Sequence, residues 1–416
     1  MSRAPHVHES LRSFCLAAFA VAFRELDEGG DLPFAFEEHQ GVGRPTLYEY
    51  RPLVRPFLEA RGERLAELPD AQVALEELER EPAAAIFAQA HRRAGPTSRP
   101  ALLQTVLLPL LEETAEACGG FDWSDEAFER AYARLEQSMF GEQRAYGAVA
   151  PVVGLSTGGV LDLGAGLRVR HVASGEIAAH WPQARGLLPA GFEREVDRRC
   201  LLELEQALPG DTGPPDAPGE LADGVTALRL ASAGPIAAGP VLFERLDWRP
   251  YGIRPVLPIA ATPPPGEPVR IDPLTAERAK RLRGRLTMAD DDRELGEALD
   301  RWELSLFQGD PFASEQLRSS LDALLGAGEG LFAASLRAAT LLGETPRERA
   351  GLLERLRLLA AGDAAVATGD LVRRALVQVL EEGDRAKLVR ALDESLLGLR
   401  PKPTTKLEPV AAVGAL

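Results

Sequence analysis

The chain has 416 residues, 45% of them hydrophobic, with a formal net charge of −16 and a pI near 5.0. That length calls for two or three domains with well-buried cores. The acidic balance disfavours a protein that tracks nucleic acid through its overall field, because counterion release needs clustered cations, although local basic patches stay open. Cys15, Cys118 and Cys200 are odd in number and lack metal spacing, so free buried thiols in a reducing cytosol are expected rather than a disulfide framework. The longest apolar run, Phe14 to Phe23, is too short to span a bilayer and has no cleavage site. A cytoplasmic protein without a membrane partner follows.

Residues 9 to 26 form an amphipathic helix in this reading, with Leu11, Phe14, Cys15, Ala18, Phe19 and Phe23 on one stripe. Loops at Gly29 to Pro33 and Gly41 to Pro45 leave 34 to 50 as a short extended piece. Gly41-x-Gly43 is no phosphate loop: no strand precedes it, the third glycine is missing, and Pro45 interrupts the helix that should follow. Helices are expected over Arg55 to Leu68, Ala71 to Arg80, Pro82 to Ala90 and Ala101 to Ala117, the last kinked by Pro109. Ser124 then caps a helix that buries Phe128, Ala131, Tyr132, Leu135 and Met139.

From Val152 to Ile271 the texture changes to short β-like runs broken by Gly and Pro. Val160 to Leu163 and Leu167 to His171 read as a hairpin about Gly164-Ala165-Gly166, followed by a short helix from Ser174-Gly175-Glu176 to just before Trp181-Pro182. Glu193 to Glu205 fits a strand better than a helix, Pro209 to Gly219 is a flexible surface loop, and Val241 to Leu246 is another strand. Along the hairpin, alternation puts Arg168 and Arg170 on one face beside His171, where two guanidinium groups can hold a phosphate or RNA; the alternative is a solvated strand face. The other histidines carry less. His6-x-His8 lies in an unanchored terminus, His39 in a surface loop, and His91-Arg92-Arg93 at a helix C-terminus where cations offset the dipole. Without metal spacing, a nucleophile elbow or a cofactor fingerprint, neither metal nor cofactor is expected.

After a helix from Thr275 to Leu286, the stretch from Leu295 to Gly398 reads as one helical bundle. Its inward stripes are Leu295, Ala298, Leu299, Trp302 and Leu306, then Leu317, Leu321, Leu324 and Leu325, then Phe332, Leu336, Ala339 and Leu342. Thr345-Pro346-Arg347-Glu348 is a capping box that starts a helix with Leu352, Leu356 and Leu359 inward. Two further helices bury Val372, Ala375, Leu376, Val379 and Leu380, then Leu388, Ala391, Leu392 and Leu396. The class is α+β, mainly α: a helical region over 1–150, an α/β region over 151–272, the bundle over 273–398 and a disordered tail over 399–416.

Three pieces in order, Ala298-Leu299-Asp300-Arg301-Trp302, Leu321-Asp322-Ala323-Leu324-Leu325 and Arg337-Ala338-Ala339-Thr340-Leu341-Leu342-Gly343, resemble the HEPN superfamily, in particular its Apea-like prokaryotic branch. A fainter likeness runs upstream through Val160 to Arg170 and Val225 to Leu230, so that it covers roughly residues 120 to 398. Active ribonucleases of that family place an Arg, then a His and usually a Gly, in the helix after the Leu-Gly. Here Asp363 stands for the Arg and Thr368 for the His, Gly369 fits, and no His follows His180. A carboxylate and a hydroxyl supply neither the proton shuttle nor the charge stabilisation that RNA cleavage needs. The resemblance therefore implies a catalytically silent binding or regulatory module with RNA or protein contacts, acting in phage defence or stress response. It also implies a homodimer through the bundle faces that flank Asp363 to Gly369. The alternative is a ribonuclease whose catalytic His is relocated, His171 being the candidate.

Overall fold

Pro5 opens the first helix, where its missing N–H costs no hydrogen bond, and α1 (Pro5–Asp27) buries Val7, Leu11, Phe14, Cys15, Ala18, Phe19 and Ala22. Phe23, expected on that stripe, is 58% exposed. At 100° per residue Ala22 lies about 20° from Leu11 and Phe23 about 120°, so the smaller residue takes the inward place. The computed structural model describes residues 3–39, 47–91, 98–141, 143–173, 176–181, 184, 186–189, 199–209, 214–247, 249–361 and 365–403. The loop read at 41–45, residues 193–198 of the strand read over 193–205, Asp363 and the tail beyond 403 lie outside the described residues.

β1 (Phe34–His39) and β2 (Leu47–Pro52) pair antiparallel, which puts His39 at the end of a strand rather than in a loop. The helix expected over 55–68 is two, α2 (Val54–Glu59) and α3 (Gly62–Ala66). It breaks at Arg61, which donates back to the Phe57 carbonyl at 2.8 Å and reaches Glu25 of α1 at the same distance. α4 (Pro69–Arg80) and α5 (Pro82–His91) follow, then α6 (Arg99–Leu102), a π-helical turn over Leu103–Leu107 and α7 (Leu108–Cys118). The π turn is how the chain accommodates Pro109, which has no N–H for the Thr105 carbonyl four residues back. Arg249 donates to that carbonyl instead. α8 (Asp125–Phe140) is capped by the Ser124 hydroxyl, 3.3 Å from the Ala127 amide, and buries the expected face in a core shared by α1 to α8.

The sheet begins earlier than the change in texture at Val152, because β3 (Gln143–Val153) is its long central strand. β4 (Leu155–Thr157), β5 (Leu161–Asp162), β6 (Leu167–His171), β7 (Cys200–Pro209), β8 (Ala237–Ala238), β9 (Val241–Leu246), β10 (Arg249–Pro255) and β11 (Val269–Ile271) follow. The strands lie in the order β10-β9-β3-β7-β6-β5, all antiparallel, with β8 against the end of β3 and a separate parallel pair of β4 and β11. Alternation sends Tyr146, Ala148, Leu167, Val169, Leu202 and Leu204 to one face. α10 (Ala217–Ser232), capped by Asp216, packs there; the reading of 209–219 as loop missed its first turn. Gly224 lets α10 come close, since a Cβ at that position would stand 2.5 Å from Leu167 Cδ2. α9 (Glu176–His180) covers part of the other face through Ile177, next to Trp181, Val149, Leu201 and Phe243.

α11 (Pro258–Ala261) and α12 (Pro273–Leu286) lead to the bundle of α13 (Met288–Asp291), α14 (Arg293–Ser305), α15 (Phe312–Leu325), α16 (Leu331–Leu342), α17 (Pro346–Ala361), α18 (Ala365–Glu382) and α19 (Arg385–Leu396). The protein is thus mainly α with a small antiparallel sheet. The capping box forms as read: the Glu348 amide donates to Thr345 Oγ1 at 3.2 Å and the Thr345 amide to Glu348 Oε2 at 3.1 Å. The α16 stripe is rotated from the expected one. Phe332 is 60% exposed and Leu336 and Leu342 half-buried, while Ala334, Arg337, Ala338 and Leu341 face in. Arg337 wins the interior because its Nη1 donates to the Leu325 and Gly326 carbonyls, each at 2.9 Å, satisfying the end of α15, while Nε pairs with Asp393 at 2.6 Å. Leu396, expected inward, is 45% exposed.

Buried apolar residues from Tyr146 to Leu392 form one contiguous cluster through the sheet, α10, α12 and the bundle. Leu321 lies at its centre with no exposed surface. Leu321→Ala is expected to lower the unfolding free energy by about 3 kcal/mol in a urea titration, the usual loss for a sealed leucine site. A value below about 1 kcal/mol would mean that the inward face of α15 is misassigned. No helix among the described residues is long and apolar enough to cross a membrane.

Candidate functional site

Arg168 and Arg170 do share a face of β6, as alternation requires, but the register places Glu203 of β7 directly opposite Arg168. Glu203 is 1% exposed and accepts from Arg168 Nε at 2.7 Å, Arg170 Nε at 2.6 Å and Arg245 Nη2 at 2.6 Å. Burial pushes its carboxyl up, yet Arg170, Arg168 and Arg245 outweigh that and hold it at about 2. Arg168 also pairs with Glu205 at 3.0 Å and Arg170 with Glu176 of α9 at 2.9 Å. Three guanidinium groups therefore meet three carboxylates, and a phosphate would have to displace one. His171 is exposed and holds its Nε2 2.9 Å from the Thr157 carbonyl, to which it can only donate. A depression of about 260 Å³ beside Arg245, lined by Tyr146, Gly147, Glu205 and Gln206, is smaller than the roughly 300–1,000 Å³ of ordinary ligand sites.

Of the positions matched to the ribonuclease motif, Asp363 is outside the described residues, while Thr368 sits on α18 with no exposed surface and Gly369 packs 3.8 Å from Leu317. The side chain that replaces the histidine is sealed inside the bundle. His8, read as part of an unanchored terminus, is instead held on α8: Nε2 lies 2.9 Å from Glu129 Oε1 and the ring stands edge-on to Tyr132 at 4.6 Å. His91 does close the end of α5, its Nδ1 2.9 Å from the Phe87 carbonyl.

A second group of polar residues, missed by sequence reasoning, is buried where the N-terminal helices meet the sheet. His91 Nε2 stands 3.2 Å from Asp247 Oδ2, with side chains 5% and 2% exposed. Asp247 occupies the left-handed turn between β9 and β10 (φ 50°), which Asp tolerates better than most residues, and its Oδ1 accepts from the Ala145 amide at 3.0 Å. Beside it burial lowers the Arg249 guanidinium to about 10, against the pull of Glu113, Asp247 and Glu112. Glu113 pairs with Arg134 at 2.7 Å, but burial still pushes its carboxyl up. One turn of α7 from Glu112 stands Glu116, and His180 at the end of α9 faces both; one ligand atom from each of the three lies within 4.8 Å of the others. In sequence nothing signals this group, because 63 residues, among them the whole of α8 and the strands β3 to β6, separate Glu116 from His180.

No protein-family model, curated protein or solved structure matches the chain.

Proposed function

We propose that this protein is a non-catalytic binding module on a HEPN-like bundle, acting through protein contacts in a defence or stress response. The observation that carries the reading is Thr368: at the position matched to the family's histidine stands a hydroxyl without any exposed surface. It can neither shuttle a proton nor be reached by a phosphate. The relocated alternative, His171, has its Nε2 committed to the Thr157 carbonyl at 2.9 Å. Protein rather than RNA is favoured as partner because the candidate guanidinium groups are neutralised by Glu203, Glu205 and Glu176, and the chain carries a net charge of −16. Phe312, Phe332 and Leu358 of the bundle remain 62%, 60% and 53% exposed, apolar surface suited to a partner or a second copy of the chain.

The purified protein is expected to leave a panel of fluorescent single-stranded RNAs intact, since losing the general acid-base costs about 10²–10⁴ and losing the charge stabilisation roughly 10²–10³ more. Wild-type cleavage that disappears in His171→Ala would overturn the proposal in favour of a relocated histidine. Retention of RNA on a filter at physiological salt, without cleavage, would replace the protein partner by RNA. Light scattering at micromolar concentration reads the second copy as a dimer mass.

A further inference from the structure

We infer that Glu112, Glu116 and His180 form a site for one divalent first-row metal ion, zinc or manganese, which ties α7 to α9. Glu112 and Glu116 are i and i+4 on α7, so their carboxylates stack on one side of the helix, an arrangement that is unfavourable for two like charges alone. His180 arrives from α9, and its Nδ1 lies 3.8 Å from Glu112 Oε1. That is too long for a hydrogen bond. It is short enough for an ion about 2.0–2.2 Å from each atom.

Both atoms are sealed from solvent, and neither has a hydrogen-bond partner among the described residues. A buried carboxylate oxygen facing an imidazole nitrogen without a bond between them is costly unless something sits between them. The surrounding charge points the same way. Glu112, Glu113, Glu116 and Asp247 gather at this junction against Arg249, Arg134 and Arg130, and two of these guanidinium groups are held by other partners. Arg249 donates to the Thr105 carbonyl freed by Pro109, and Arg134 bonds Glu113. Two carboxylates and a neutral imidazole neutralise a divalent ion, and a mixed oxygen and nitrogen set suits zinc or manganese better than calcium or magnesium. Three protein ligands leave a tetrahedral ion one position for water. Bound there, the ion would cross-link the N-terminal helices to the segment that covers the far face of the sheet, where Ile177 and Trp181 pack on Val149, Leu201 and Phe243.

The full chain, stripped with a chelator and dialysed, is titrated with Zn²⁺ and separately with Mn²⁺ by calorimetry, with metal content checked by mass spectrometry. One equivalent per chain is expected, together with a rise in Tm that chelator reverses. His180→Ala and Glu112→Gln should each weaken binding by more than about 100-fold, the upper end of what losing a mere outer partner of a ligand costs. His8→Gln, at the His8–Glu129 pair between α1 and α8, should leave binding as it is. Cobalt in place of zinc should give visible absorption bands that are lost in His180→Ala. If His180→Ala fails to fold, Glu112→Gln, which keeps shape and hydrogen bonding, decides. Failure of the wild type to take up either ion, or uptake unchanged in Glu112→Gln, would overturn the site.

Discussion

Replacing Arg229 with Met is expected to destabilise the folded chain by about 3–5 kcal/mol, read as a lower urea midpoint at unchanged slope. Arg229 is 1% exposed, and every arm of its guanidinium is used. Nε donates to the Ile236 carbonyl at 2.8 Å, Nη1 to the Ile259 carbonyl and to Glu303 Oε1 at 3.0 Å each, and Nη2 to the Thr262 carbonyl at 2.9 Å. It thereby ties the turn after α10, the helix α11 and the bundle helix α14 together from one point. Burial lowers the Arg229 pKa and raises that of Glu303, so for both partners removal from water outweighs the attraction between them. The stabilising part is then the satisfaction of three carbonyls rather than the ion pair. Glu303→Gln keeps an oxygen for Arg229 and for the Thr226 hydroxyl, now 2.8 Å away, and should cost less than half as much. Equal losses for the two substitutions would show that the pair itself dominates.

Where the sequence was read correctly, the signal was local. A capping box needs only Thr345 and Glu348, and the stripes of α14, α15, α18 and, as far as Leu392, α19 need only apolar side chains at helical spacing. The stripe of α16 held at Ala339 but missed at Phe332, because Arg337, polar by type, takes the interior to serve carbonyls at the end of another helix, which periodicity cannot see. Pro109 announced a break in the helix, but not that Arg249, 140 residues on, would receive the freed carbonyl. At the sites the division is the same. Alternation put Arg168 and Arg170 on one face, while the carboxylate beneath them depends on a register set by β7. Glu112, Glu116 and His180 converge only once the N-terminal helices dock on the sheet, so no motif in the chain foretells them.

Glu203→Gln is expected to cost about 3 kcal/mol at neutral pH and to remove part of the acid sensitivity of the protein. The folded chain holds this carboxyl at about 2 against an ordinary value of 4.5, and a difference of that size corresponds to about 3 kcal/mol. Because the folded pKa is depressed, the contribution is fully present above pH 4.5 and is lost as pH falls from there through about 2. Glu303 acts in the opposite sense: its carboxyl is raised by burial, so its protonation favours the folded chain as pH falls. Urea unfolding at pH 7, 4 and 3 should therefore show wild type losing more stability on acidification than Glu203→Gln; parallel curves would mean that Arg168, Arg170 and Arg245 do not set this titration. The same change leaves three guanidinium groups facing Glu205 and Glu176 alone, one positive charge in excess on the face of the sheet that α9 partly covers. If carboxylate pairing is what keeps phosphates off this face, folded Glu203→Gln should hold single-stranded RNA more tightly than wild type at low salt, and should lose that gain as salt rises.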